Sequence, residues 1–163
     1  QGWFGNEDQF GMGPEYVKAD GIRGFQIASP SIIGIRGVQT AFSMIEEAGI
    51  SAIAHKAAVG TQMMIDLYDA WLADLGYTLL TSRDPNERGG HISLGHPQAA
   101  QICVALRKFV NVIPDYRTPN AIRLAIAPLP TSYVEIWDGF ERLRDLTLTK
   151  KYEEIKGSDS RVT

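Results

Sequence analysis

Arg123 stands in the middle of Ala-Ile-Arg-Leu-Ala-Ile-Ala, an otherwise apolar run. A guanidinium there needs a partner, because an unpaired charge in a core is very costly. Its planar fork of donors matches a carboxylate or a phosphate. Two readings are open: a clamp on an anionic ligand, or a structural ion pair with an Asp or Glu of the same domain. Ser29-Pro30 is the second candidate. Backbone N–H groups, helix dipole and a free hydroxyl at a helix start favour an anion, although a plain N-cap is the commoner use of that pattern. Trp3 and Phe4 lie between Gly2 and Gly5. A buried indole N–H wants an acceptor, and the same pair also suits a hydrophobic anchor.

Other residue types carry less. His91 and His96 fall on a strand and the turn after it, a spacing that does not aim both at one ion, and His55 lies on a helix, so no metal is expected. Arg88-Gly89-Gly90 lacks the Gly-Lys-Ser or Gly-Lys-Thr of a phosphate-binding loop. Cys103, the single cysteine, lies on an apolar helix face and reads as an inert thiol. No Gly-x-Ser-x-Gly elbow is present. The chain holds parts of a ligand clamp and no catalytic residue set.

The elements that must position these residues follow from periodicity. Residues 1–30 show no sustained period and read as an extended or looping arm. A helix follows, with Ser29 as N-cap, Pro30 at its first position, Val38, Ala41, Phe42 and Ile45 on one face and Gly49 as its stop. A second helix, capped by Ser51, carries Met64, Leu67, Tyr68, Trp71, Leu72 and Leu75 to Gly76. Strands are expected over 77–81, 91–94, 111–117 and 121–127, the last with Ile122, Leu124 and Ile126 on one face and Arg123 and Ala125 on the other. A third helix opened by Pro97 turns Ala99, Ile102, Cys103, Leu106 and Val110 inward. Ser132 and Glu135 form a capping-box pattern before a last helix striped with Tyr133, Ile136, Trp137, Phe140 and Leu143. The fold class is α/β of the α+β type: a four-stranded antiparallel or mixed sheet with helices on one face. The expected divisions are an arm at 1–30, a small domain at 31–149 and a polar, frayed tail at 150–163.

With 163 residues, 44% of them apolar and 21% charged, the chain has the composition of a globular domain. Its net charge of −3 argues against a nucleic-acid partner, whose footprint is a basic face. No apolar run approaches the ~18 residues of a membrane helix. One cysteine suits a reducing, cytoplasmic setting. The chain starts at Gln1 within a glycine–aromatic stretch and without a signal peptide, which reads as the interior of a longer protein.

Several stretches, taken in order, resemble the kynureninases. They are Gly2-Trp3-Phe4-Gly5, Phe10-x-Met12, Tyr16, Gly21-Ile22-Arg23-x-Phe25 and Ser29-Pro30-x-Ile32, then Arg88-Gly-Gly-His-Ile-Ser-Leu94 with His96-Pro97, then Asp115-Tyr-Arg117-x-Pro119-Asn120-x-Ile122-Arg123 running into Ala127-Pro128-Leu129. The resemblance covers roughly residues 2–146. It implies the small C-terminal domain, with its preceding arm, of a pyridoxal 5'-phosphate enzyme of fold type I. Such an enzyme hydrolyses the Cβ–Cγ bond of L-kynurenine to anthranilate and L-alanine in tryptophan catabolism.

The resemblance also implies roles. Arg123 matches the arginine that holds the substrate carboxylate. Trp3 matches the tryptophan whose indole reaches the cofactor phosphate, and Ser29 stands at the phosphate-facing helix start. Phe4 borders the aromatic end of the substrate. A homodimer is implied, in which the arm serves the partner's site, together with an N-terminal large domain carrying the Schiff-base lysine. None of Lys18, Lys56, Lys108, Lys150, Lys151 and Lys156 has the context of that lysine, so the chain alone is expected to be inactive and not to retain the cofactor. Asn6 stands where His is usual, Ala28-Ser29 where Gly-Thr or Ser-Asn is commoner, and Ala57-Ala58 where Lys-Ser is frequent. A paralogue with another amino-acid substrate, or a stand-alone non-catalytic binding or interaction domain, is the alternative.

Overall fold

The computed structural model describes residues 2–156. The chain divides into two compact units, Gln1–Glu47 and Ala48–Thr163.

In the first unit the residues before the helix fold back on themselves as a looping segment. A short 3-10 turn at Trp3–Gly5 is followed by an antiparallel bridge between Asn6 and Lys18. The Glu7 N–H donates to the Val17 carbonyl at 2.7 Å and the Ala19 N–H to the Gly5 carbonyl at 2.9 Å. A second 3-10 turn covers Gly21–Phe25. Gly2 is required by close approach, since a Cβ there would stand 2.2 Å from the Ile27 carbonyl oxygen. Helix α1, Ile32–Ala48, completes the unit. Its cap is Ser31, not Ser29: the Gly34 N–H donates to Ser31 Oγ at 3.2 Å, and Ser29 lies in the bend before it. The apolar face of α1 is exposed. None of its residues is buried, and Phe42 is 65% exposed. The division between the two units falls at the last turn of α1, between Glu47 and Ala48.

In the second unit, Gly49 takes a left-handed φ of 80° and directly precedes helix α2, Ile50–Trp71. Ser51 lies inside α2 and caps nothing. Met64, Ile65, Leu67 and Tyr68 are buried along one face, as helical spacing requires. A 3-10 turn and Gly76 at φ 86° end the segment. Strand β1, Thr78–Leu79, and strand β2, His91–Gly95, flank the turn-rich 83–90 segment. Arg88 ties that segment to α2 by donating to Thr61 Oγ1 and Gln62 Oε1 at 3.2 and 2.7 Å. Helix α3 is Ala99–Val110, and Asn111 closes it in the left-handed region at φ 55°. Strands β3, Asp115–Arg117, and β4, Ala121–Ala125, form a hairpin. Strand β3 is shorter than the expected 111–117 because Asn111 serves as the helix cap.

Helix α4, Tyr133–Leu148, begins with the expected capping box: Ser132 Oγ accepts from the Glu135 N–H and the Glu135 carboxylate accepts from the Ser132 N–H. Its Ile136, Phe140 and Leu143 are buried, but Tyr133 and Trp137 are 39% and 45% exposed. Trp137 instead meets Trp71 edge to face, with ring centroids 4.6 Å apart. The expected tail is ordered over its first residues. Lys151–Glu154 forms a 3-10 turn, and Tyr152 and Ile155 are buried in the core. Residues 157–163 of that expected tail lie outside the described residues.

The sheet is antiparallel throughout, in the order β1-β2-β4-β3. Ile92 pairs with Leu124 and Leu94 with Ile122. Paired residues share a face. Ile92, Leu94 and Ile122, fully buried, meet Ile65 of α2, Leu106 of α3 and Phe140 of α4 in one hydrophobic core. Among the described residues, no helix is long and apolar enough to cross a membrane.

Candidate functional site

The alternation that sends Ile122 into the core sends Arg123 to the other face of β4. Arg123 pairs with Ser93 on β2 and with Asp115 on β3, so the three side chains form one row across the sheet on the face away from the helices. Asp115 and Arg117, two apart on β3, share that face. Arg123 Nη2 donates to Asp115 Oδ2, and Arg117 Nη2 donates to the same oxygen at 2.6 Å. The Arg123 side chain is 35% exposed and that of Asp115 27%. Partial burial works to raise the Asp115 pKa. The Arg117 hydrogen bond and the charges of Arg117 and Arg123 outweigh it and hold the carboxyl below its ordinary value. Beside Asp115 lies an open cleft of about 450 Å³, also lined by Arg107, Asn111, Ile113 and Pro114.

Both readings of Arg123 thus find something here. An acid of the same domain does pair with it, and the pair sits on an open face with Nη1 and Nε of the fork not engaged by that bond. Asp115 and Arg117 join Arg123 here although periodicity alone does not single them out. Their Asp-x-Arg alternation, three residues before a hairpin start, was the available signal.

In the first unit Trp3 and Phe4 meet edge to face at 5.3 Å, and Trp3 meets Phe10 in the same way at 6.0 Å. Phe4 is half-buried and Trp3 is 50% exposed. The Trp3 indole N–H donates to the Gln9 carbonyl, so the arm itself supplies its acceptor. Ser29 is exposed. For a phosphate group the described arm offers one exposed hydroxyl and an indole N–H already committed elsewhere. To serve a phosphate the indole would have to leave the Gln9 carbonyl.

The remaining polar candidates resolve by burial. His91 is exposed on β2. His96 is 6% exposed, between the rings of Tyr77 and Tyr152 at 4.6 and 6.1 Å. Its Nδ1 accepts from the Gln98 N–H at 3.1 Å, which leaves the other nitrogen to donate to the Leu75 carbonyl. Burial pushes its pKa below the ordinary 6.5, and the Leu75 bond opposes this weakly. The folded state therefore binds fewer protons than the unfolded chain just below pH 6.5, and stability rises with pH through that window. Thermal melts are expected to show a midpoint that falls as the pH drops below 6.5, with a smaller fall in His96→Gln; equal slopes for the two proteins would refute this. Cys103 is buried and its thiol is pushed up to about 12 by burial, as befits a core residue. Among the described residues, no group of three or more His, Cys, Asp or Glu is placed to hold a metal.

These features define a small mixed α/β domain that covers one sheet face with helices and presents an arginine–carboxylate row on the other. The family model described as "Kynureninase C-terminal domain" matches residues 53–143, which takes in most of α2, the whole sheet, α3 and most of α4. The chain belongs to that family. It is 34% identical over 157 residues to the kynureninase of Bacillus anthracis, covering 95% of this chain and 36% of that protein. The kynureninase of Geobacillus thermodenitrificans (strain NG80-2) is 34% identical over 156 residues, with 94% and 36% covered. That of Shouchella clausii (strain KSM-K16) is 34% identical over 157 residues, with 95% and 36% covered. The chain spans 36% of the length of these curated relatives.

Proposed function

We propose that this chain is the substrate-clamping C-terminal part of a kynureninase, which hydrolyses the Cβ–Cγ bond of L-kynurenine to anthranilate and L-alanine. The observation that carries the reading is Arg123 on the open sheet face of a domain of this family. Its fork binds the substrate α-carboxylate, and two parallel hydrogen bonds fix the rotation about Cα that brings the reacting bond into line. Trp3 and Ser29 reach the cofactor phosphate from the arm, with Trp3 exchanging the Gln9 carbonyl for it, and Phe4 borders the substrate ring. The arm serves the site of a partner subunit in a cytoplasmic homodimer. Pyridoxal phosphate supplies the electron sink and is held by a large domain outside these 163 residues. The apolar residues exposed on α1, Ile32, Ile33, Val38 and Phe42 among them, support a further domain or subunit covering this unit.

The test joins this chain to a lysine-bearing large domain from one of its relatives and follows anthranilate release from L-kynurenine and its 3-hydroxy analogue. Release that depends on added pyridoxal phosphate, and that the chain alone does not give, is expected. Absence of release from both substrates by a folded, cofactor-loaded fusion would reject the reading.

A further inference from the structure

Arg123 is not the only cation on its row. Asp115 Oδ2 accepts from two guanidiniums, Arg117 Nη2 at 2.6 Å and Arg123 Nη2. An isolated Arg–Asp pair is neutral and already satisfied, so it offers an incoming carboxylate little attraction. Two guanidiniums on one carboxylate carry a formal charge of +1 (two positive, one negative). They also divide the attraction of a single oxygen between them. The β3–β4 register sets this arrangement. Asp115 lies directly opposite Arg123, and Arg117, two residues along, points to the same face. Arg117 is also the most exposed of the three, with 53% of its side chain open to solvent.

We propose that Arg117 tunes the carboxylate site: by sharing the Asp115 charge it keeps Arg123 receptive to a ligand carboxylate, with Asp115 as the internal competitor that the ligand displaces or joins. Arg117 and Asp115 are positioning residues here, acting through Arg123. The inference rests on reading Arg123 as the clamp. It adds what sets the strength of that clamp.

The predicted consequences have opposite signs. Arg117→Gln takes the row from +1 to neutral and leaves Asp115 wholly to Arg123, so carboxylate binding weakens. Asp115→Asn removes the competing charge yet keeps a side-chain oxygen that accepts from Arg123, so binding tightens. Each change is expected to be roughly two- to fivefold, the range for partly exposed charge pairs. The double variant Arg117→Gln/Asp115→Asn returns near the starting affinity, which loss of structure would not do.

The probe is sodium acetate at constant ionic strength, titrated into the full 163-residue chain. The readout is the side-chain Nε resonance of Arg123, assigned from Arg123→Lys. A shift that saturates, and whose midpoint moves up in Arg117→Gln and down in Asp115→Asn, is expected. No saturable shift in the parent chain, or midpoints that move together in the two variants, overturns the inference. The turnover test of the fused protein is separate. Turnover lost in Arg123→Lys alongside flat acetate midpoints sinks only the tuning role, whereas the acetate pattern without turnover sinks only the enzymatic reading.

Discussion

Replacing Arg123 by alanine in the complete, cofactor-loaded protein is expected to lower kcat/KM for L-kynurenine by roughly a hundredfold or more. Truncating one partner of a hydrogen-bonded charge pair costs ~2–5 kcal/mol in bound complexes, and each ~1.4 kcal/mol is a factor of ten. Arg123→Lys should recover little, because an ammonium keeps the charge and loses the planar fork. The same substitutions should barely move the melting temperature. The Arg123–Asp115 pair is about one-third exposed, and pairs of that kind are worth ~0–1 kcal/mol. The two readings of Arg123 therefore separate on one pair of measurements. A clamp loses activity and keeps stability. A purely structural ion pair loses a little stability and keeps activity, and steady-state kinetics of Arg123→Ala unchanged within twofold would establish that outcome.

The second large effect concerns the core that holds the row in place. Leu106 on α3 is fully buried in the cluster formed by α2, α3, α4 and the inner sheet face. Leu106→Ala is expected to cost about 3 kcal/mol, the transfer term for the lost side chain plus the cavity left in a close-packed site. For a unit of this size that lowers the melting midpoint by roughly 10–15 °C. Leu148→Ala, at a position 58% exposed at the end of α4, is the matched control and should shift it little. Far-UV circular dichroism melts of the two variants check both values. A fall of less than a few degrees for Leu106→Ala would mean that α3 is not packed as described.

The features readable along the chain were those whose cause is local. The α2 stripe through Met64, Leu67 and Tyr68, the Ser132–Glu135 box and the alternation of Ile122, Arg123 and Leu124 each depend on neighbours within a few residues. Helical and strand periods report those directly. Arg123 stood out for the same reason, as a charge inside an apolar strand, and the ordered motifs from Gly2 to Leu129 were enough to point to the family that the chain belongs to.

What the chain order could not supply was decided by pairing and by burial. Asp115 becomes the partner of Arg123 only because β3 and β4 meet in one register across a short turn; a slip of one residue would send it to the opposite face. The arm folds back because Gly2 and Ile27 approach closely, which no period reveals. Phe42 and Trp137 carry correct helical spacing and still lie at the surface, while Tyr152 and Ile155, in a polar stretch, are buried. Periodicity names the apolar face of an element. Whether another element of the described residues covers that face is a property of the whole packing, and so tertiary structure alone decided it.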